Sequence, residues 1–302
     1  MAAKQEADRL NKGIGCSLLS LDIEGGRGKR IPSLGCCIYC GDSRCRLTDE
    51  HVVPFALGGN AVIFEKACCI SCQQRIQRYE QRVLRGQLGT YRATIGAPTR
   101  NKKDRPTTAA FSCIEVDCQG QVIRDLGFKT LALDQAPLAL SSWVLGPPRV
   151  LGGDCNPEDR YGRPWSYVDK TYIEKLVQEV RVQTMAKNVA VKLADINRDD
   201  FLRFIVKTAH AYAISELGMN AFRPLAVDQI LCRSNDLDYI VGGYDEGNEL
   251  AGDPADVVRL KCGTVQDGPA ADYVAVNVHL YPLLNTPAHV VIVGAPVNSI
   301  IP

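Results

Sequence analysis

The chain has 302 residues, 46% of them hydrophobic and 23% charged, which is ordinary for a folded soluble protein of one large domain or, as we expect, two. No run approaches 18 apolar residues and the opening residues have no apolar centre, so we expect neither a membrane span nor a signal peptide. The net charge of +1 conceals an asymmetry, because residues 1–107 carry 18 Lys and Arg against 10 Asp and Glu. The remainder carries 17 against 24, so the N-terminal third is the expected partner of a polyanion.

The number and spacing of the cysteines indicate the redox state of the compartment in which the protein is found. The chain has 13 cysteines, and seven of them fall between Cys36 and Cys72. In a protein without a secretion signal, paired thiols bind metal more often than they form disulfides. We therefore expect a reducing, cytoplasmic location.

The N-terminal third is predicted to contain a basic arm and a small domain. Residues 1–35 are polar and glycine-rich, and they are interpreted as a mobile basic arm. The small domain occupies residues 36–105 and includes a polar helix from Gln73 to about Gly86. A basic linker over residues 96–107 marks its end.

Residues 106–302 are predicted to form an accessory α+β domain, so the whole chain is assigned to the α+β class. The pattern predicts a hairpin over residues 109–134 and a helix over residues 168–188. It also predicts a strongly amphipathic helix over residues 198–217 and two strands, over residues 271–281 and 288–293. Gly218 follows the second helix and is expected to end it. The role of this domain does not follow from its sequence.

Two Cys-x-x-Cys pairs have the spacing of a closed four-thiolate zinc site. The predicted ligands are Cys37, Cys40, Cys69 and Cys72. Cys36 and Cys68 are adjacent and remain alternatives, although a Cys36–Cys40 spacing is less typical. A site of this kind has no open coordination position, so its role is to hold the fold together. A further pair, Cys113 and Cys118, is interpreted as hairpin packing.

The segment between the pairs carries groups suited to hydrolysis. His51 is mostly neutral at pH 7 if its pKa is near the reference value of about 6.5, so it can accept a proton from water. Glu50 would point away from His51 on an extended strand, but at a strand end it could turn to bind a hard divalent cation. A third ligand is expected from the helix after the second cysteine pair.

These residues resemble the HNH endonucleases, also called ββα-metal nucleases, over roughly residues 36–90. The resemblance is carried by the two cysteine pairs, the Glu50-His51-Val-Val-Pro54 run and the Gly58-Gly59-Asn60 turn. It implies a zinc-stabilised ββα-metal domain in which Glu50 binds the catalytic metal and His51 is the general base.

The resemblance also implies roles for two amide residues. Asn60 corresponds by type to the asparagine that orients the loop carrying the base. The other metal ligand would follow the last cysteine of the second pair, where this chain has Gln73 instead of asparagine or histidine. Gln74 is the alternative for that position.

The activity implied is metal-dependent hydrolysis of DNA phosphodiester bonds, with double-stranded DNA as the expected substrate. The catalytic ion would be Mg²⁺ or Mn²⁺, with Ni²⁺ or Zn²⁺ as alternatives, and the structural zinc would be separate from it. In bacteria and phages, nucleases of this kind serve restriction, antiviral defence or mobile elements.

Basic side chains recur along the predicted helix at spacings of three and four residues, so they share one face. They are Arg75, Arg78, Arg82 and Arg85. Beside a phosphate site they are predicted to contact the DNA backbone. Lys102, Lys103 and Arg105 are weaker candidates. The remaining histidines, His210, His279 and His289, are interpreted as structural.

Two other function classes compete with the enzyme. A zinc-stabilised nucleic-acid-binding or assembly module with a decayed catalytic set is favoured by Gln73. A thiol redox protein is disfavoured, because redox Cys-x-x-Cys motifs occur singly. A homodimer, or a partner protein bound through the C-terminal domain, is a further expectation.

Overall fold

The predicted α+β class is confirmed in the computed structural model, which describes residues 17–21, 28–58, 61–100, 103, 105–152, 155–192, 196–244 and 256–297. Asn60 and Lys102 lie outside the described residues.

The N-terminal part is a small sheet followed by a helix. Its elements are β1 (Ser17–Leu21), β2 (Lys29–Ile31), β3 (Leu47–His51), α1 (Phe55–Gly58), β4 (Val62–Cys69), α2 (Ile70–Gln81), a π-helical turn (Arg82–Gln87) and α3 (Gly89–Thr94). β3 and β4 pair antiparallel with an irregularity between Thr48 and Glu50, and β2 pairs parallel to β4. Two of the strands, β1 and β2, fall within the predicted basic arm. The order β3–β4–α2 gives an antiparallel hairpin that leads directly into a helix.

The predicted helix begins three residues before Gln73. Cys69 is its N-cap, and its sulfur accepts a hydrogen bond from the Cys72 amide. Ile76, Tyr79 and Val83 are buried, as their helical spacing indicates.

The middle of the chain forms two smaller sheets and two helices. Its elements are β5 (Thr108–Val116), β6 (Val122–Ala132), β7 (Ala139–Val144), α4 (Pro157–Tyr161), β8 (Arg163–Val168), α5 (Lys170–Thr184) and β9 (Val189–Lys192). β5 and β6 are the predicted hairpin, and β9 adds to its other side. α5 is the helix predicted over residues 168–188.

The C-terminal part packs one long helix against a six-stranded sheet. Its elements are α6 (Arg198–Leu217), β10 (Arg223–Pro224), α7 (Val227–Ile230), β11 (Val241–Tyr244), β12 (Val258–Thr264), β13 (Val274–Leu280) and β14 (Ala288–Ala295). The sheet order is β1-β12-β13-β14-β10, and β11 also pairs with β14. β13 and β14 are the two predicted strands.

The prediction that residues 198–217 form an amphipathic helix is right about the helix and wrong about its faces. The side chain of Asn197 caps α6, and Gly218 ends it with a φ of +87°. Every residue from Asp200 to Ile214 is buried, because α6 contacts α2 as well as β12, β13 and β14. A helix covered on all sides has no solvent face.

One hydrophobic core contains residues from both predicted domains. Phe64 and Tyr79 of the hairpin–helix part belong to the same buried cluster as Phe204 of α6 and Val276 of β13. β1 also pairs with β12, which joins the N-terminal residues to the C-terminal sheet. Within the part of the chain that is described, no helix has the length and apolarity needed to cross a membrane.

Candidate metal centre and candidate active site

The two cysteine pairs lie on neighbouring elements. Cys37 and Cys40 belong to a tight turn closed by a 2.8 Å hydrogen bond from the Gly41 amide to the Cys37 carbonyl. The Ile38 amide ties this turn to β4 by donating to the Ala67 carbonyl at 2.9 Å. Cys69 and Cys72 occupy the N-cap and the first turn of α2.

The four sulfur atoms all lie within 4.8 Å of one another, and Cys40 Sγ is 3.7 Å from Cys69 Sγ. A tetrahedral zinc ion with Zn–S bonds of about 2.3 Å separates its sulfurs by about 3.8 Å. The donor set and its spacing therefore fit a structural metal such as zinc. Among the described residues, these four cysteines are the one group of three or more His, Cys, Asp or Glu side chains close enough together to hold a metal ion.

The alternative cysteines have other contacts. Cys36 Sγ donates to the sulfur of Met219 at 3.4 Å. Cys68 is buried, and its thiol hydrogen bond to Cys37 holds the pKa of Cys37 well below its ordinary value while raising that of Cys68. Cys68 is therefore placed to donate to a ligand. The other pair, Cys113 and Cys118, has one buried and one exposed member on the β5–β6 hairpin.

A cleft of about 780 Å³ lies beside the hairpin and brings together three of the predicted catalytic residues. Glu50 and His51 line it from the end of β3, and Gln73 lines it from the first turns of α2. Although successive residues of a regular strand point to opposite faces, these two reach the same cleft at the strand end. Gln74 is exposed on α2.

Lys207 of α6 is a central residue of this site that the sequence analysis missed. Its Nζ lies 2.5 Å from Glu50 Oε1 and 3.1 Å from Glu80 Oε1, and it donates to the His51 carbonyl oxygen at 2.7 Å. Its side chain is 2% exposed. A signal existed, because Lys207 is the sole charged residue in the run from Phe204 to Ser215, and a buried lysine needs a partner.

The charges around Lys207 stabilise one another. Burial lowers the pKa of Lys207, but the carboxylates of Glu50 and Glu80 more than compensate and raise it above the ordinary value. Burial raises the pKa of Glu80, and the nearby ammonium opposes this in part. Lys207 is therefore charged at neutral pH.

His51 is half-buried at the cleft wall. Its ring meets Phe55 edge-on with 6.0 Å between centroids. The guanidinium of Arg100 lies 5.8 Å from the centroid of the same Phe55 ring. The predicted base thus has an aromatic neighbour and, beyond it, a cation.

The four arginines predicted to contact DNA differ in what they contact in the structure. Arg82 forms a bidentate ion pair with Asp200 of α6, and Arg75 donates to the Leu231 carbonyl at 3.3 Å. Arg78 is exposed, and Arg85 is the member of the set that lines the cleft.

The cleft has further basic side chains beyond α2. Arg100 and Arg105 line it, and Arg105 donates to the Gly96 and Ala97 carbonyls at 3.0 and 3.1 Å. Arg92 also lines it, but its guanidinium donates to the carbonyls of Ala56, Leu84 and Pro98, and burial lowers its pKa. Lys103 is exposed.

The other histidines are structural, as predicted. His210 is fully buried in α6, with Nε2 3.0 Å from the Ile38 carbonyl oxygen. His289 is buried with Nε2 2.8 Å from the Trp143 carbonyl oxygen, and His279 bonds the Thr286 carbonyl.

Comparison of the chain with protein-family models, with curated proteins and with solved structures found no match. The function is therefore inferred from the site itself.

Proposed function

We propose that the protein is a metal-dependent endonuclease that hydrolyses DNA phosphodiester bonds in the cleft beside β3. The observation that carries the proposal is that Glu50, His51 and Gln73 line this one cleft. The histidine can accept a proton from water. The carboxylate and amide oxygens are ligands that suit a hard divalent cation.

In this proposal, His51 accepts a proton from the attacking water, and Arg85 and Arg100 hold the DNA phosphates at the cleft wall. Glu50 and Gln73 are the residues that would hold Mg²⁺ or Mn²⁺. When bound, such an ion supplies Lewis acidity to the scissile phosphate and stabilises the leaving oxygen. Two arginines at the wall suit a polyanionic substrate, because guanidinium groups match phosphate geometry.

The four cysteines act separately from the chemistry. We propose that they bind a structural zinc, which fixes the turn of Cys37 and Cys40 against the start of α2. Because Cys72 and Gln73 are adjacent, the metal centre also sets where the Gln73 side chain enters the cleft.

One observation favours a second function, that of a zinc-stabilised nucleic-acid-binding module without catalysis. The Glu50 carboxylate is already paired with Lys207, so part of the negative charge that would attract a cation is neutralised. In that case the arginines of the cleft still bind nucleic acid, and added Mg²⁺ or Mn²⁺ causes no cleavage of it.

The test is incubation of the purified protein with supercoiled plasmid and Mg²⁺ or Mn²⁺. We expect cleavage by the wild type and a loss of about 10²–10⁴-fold in His51→Ala, the range of a general base. His279→Ala, a histidine outside the cleft, is the matched control and should cleave like the wild type. Equal inertness of the wild type and His51→Ala with every metal and DNA form would reject the enzyme.

A further inference from the structure

Lys207 joins the proposed reaction centre to a helix that is remote in the chain. The ammonium group has three hydrogens, and three acceptors surround it: Glu50 Oε1, Glu80 Oε1 and the His51 carbonyl oxygen. The His51 carbonyl oxygen accepts a hydrogen bond from it, and the two carboxylate oxygens lie within ion-pair distance.

The position of this ammonium is fixed by burial. Its side chain is 2% exposed, and those of Glu50 and Glu80 are 8% and 17% exposed. Moving a buried charge away from its partners is costly, so the three side chains hold one arrangement. The neighbouring side chains of α6 are buried as well, so the aliphatic part of the Lys207 side chain is enclosed.

Two of the three acceptors belong to adjacent residues with proposed roles in the reaction. Lys207 holds the carboxylate of Glu50 and the backbone of His51, and both residues line the cleft. The third acceptor, Glu80, lies on α2, the helix that contributes Gln73. One ammonium thus connects both elements that supply the proposed catalytic groups.

We propose that Lys207 is a positioning residue of the active site, which sets Glu50 and His51 in register with α2. The inference rests on the proposed nuclease function. Residues 36–105 then do not contain a complete active site, because the predicted accessory region supplies the side chain that orients it. Lys207 itself does not contact the substrate, since its side chain is 2% exposed at the base of the cleft.

The experiment compares Lys207→Met and Lys207→Arg with Arg203→Met. Arg203 is the matched control, because it is a buried cation one turn earlier on α6 that donates to Asn235 and the Ser234 carbonyl, away from the cleft. The probes are supercoiled plasmid and Mn²⁺. The measured quantities are kcat, KM for the plasmid and the Mn²⁺ concentration at half-maximal rate.

We expect Lys207→Met to lower kcat about 100-fold, the typical effect of a small misplacement of catalytic groups, with KM for DNA nearly unchanged. The Mn²⁺ concentration at half-maximal rate should rise, despite the negative charge that the substitution frees on Glu50, because that carboxylate is no longer held in place. Lys207→Arg keeps the charge but replaces the compact ammonium by a larger planar guanidinium, which cannot occupy the same position among the three oxygens, so it should lose kcat as well. Arg203→Met should keep the kcat of the wild type.

Two results would overturn the proposal: wild-type kcat in Lys207→Arg, or equal losses of kcat in Lys207→Met and Arg203→Met. If Lys207→Met does not fold, Lys207→Arg decides.

Failure of the nuclease function is recognised separately, by an inert wild type. In that event the ¹⁵N–¹H imidazole signals of His51 replace kcat as the readout. They should move in Lys207→Arg and stay in place in Arg203→Met, and unchanged signals in both would reject the positioning role.

Discussion

The guanidinium of Arg82 and the carboxylate of Asp200 form a bidentate ion pair that ties the turn after α2 to the first turn of α6. Arg82 is one of four arginines predicted to contact DNA, but its donors face a carboxylate that is 9% exposed. The spacing of basic residues along a helix shows that they share a face. It does not show which other part of the chain covers that face.

Arg82→Ala should therefore weaken folding more than it weakens DNA binding. The loss leaves the Asp200 carboxylate without its partner, and we expect the free energy of unfolding to fall by about 1–2 kcal/mol. Denaturant unfolding measures this, and Arg78→Ala, at an exposed position on α2, should stay within about 0.5 kcal/mol of wild type. Equal stability of the two variants would contradict the structural role.

Arg85 should be the member of the arginine set that contacts the DNA backbone, because it lines the cleft. Neutralising one phosphate contact reduces the salt dependence of binding by about one unit of slope. Binding of a DNA duplex measured over a series of salt concentrations should show this reduction for Arg85→Ala. Arg75→Ala is the control, and a larger change in slope for Arg75 than for Arg85 would place the DNA on the other side of α2.

Removal of the structural metal should unfold the N-terminal part. We expect one tightly bound zinc per chain by elemental analysis, and loss of that zinc in Cys37→Ser and Cys72→Ser, because a thiolate ligand is removed from each. Cys68→Ser is the matched control, since its sulfur neighbours the site without belonging to the group of four. A protein that contains no zinc, or that keeps it in Cys72→Ser, would contradict this assignment.

Stability should decrease in mild acid in part because of His289, and His210, whose pKa burial also lowers to about 4, adds to the effect. Burial lowers the pKa of His289 to about 4, against an ordinary value of 6.5. Between these pH values the unfolded chain binds a proton that the folded chain does not. Stability from this group is therefore present above pH 6.5, and it is lost as the pH falls towards 4, by roughly 3 kcal/mol in total.

Urea unfolding at several pH values measures this loss. His289→Gln should flatten the dependence between pH 4 and 6.5, whereas His279→Gln, whose ring is less buried, should flatten it less. An unchanged pH profile in His289→Gln would show that the imidazole is not the titrating group.

The features that were predictable from sequence are those encoded within a short stretch of chain. The Cys-x-x-Cys pairs place Cys37, Cys40, Cys69 and Cys72 correctly because each pair forms its own turn. Glu50, His51 and Gln73 were named together through the resemblance to HNH endonucleases, whose motif is also carried by a short stretch of chain.

The features that were missed depend on contacts between distant segments. Lys207 belongs to the site only because α6 passes behind the hairpin, and no local pattern reports that. The same packing explains the error about α6, since this helix contacts both α2 and the C-terminal sheet, and Phe204 and His210 are both buried. The parallel pairing of β2 with β4 also depends on a long-range register.

The location of Lys207 has a consequence for the order of events during synthesis. The four cysteines, Glu50 and His51 emerge from the ribosome long before α6 does, and N-terminal segments begin to fold first. Until α6 emerges, the hairpin lacks both its buried ammonium and the helix that covers it. A nascent or prematurely terminated chain could then bind zinc but would hold no ordered reaction centre, so the proposed cleavage of DNA would await the synthesis of α6.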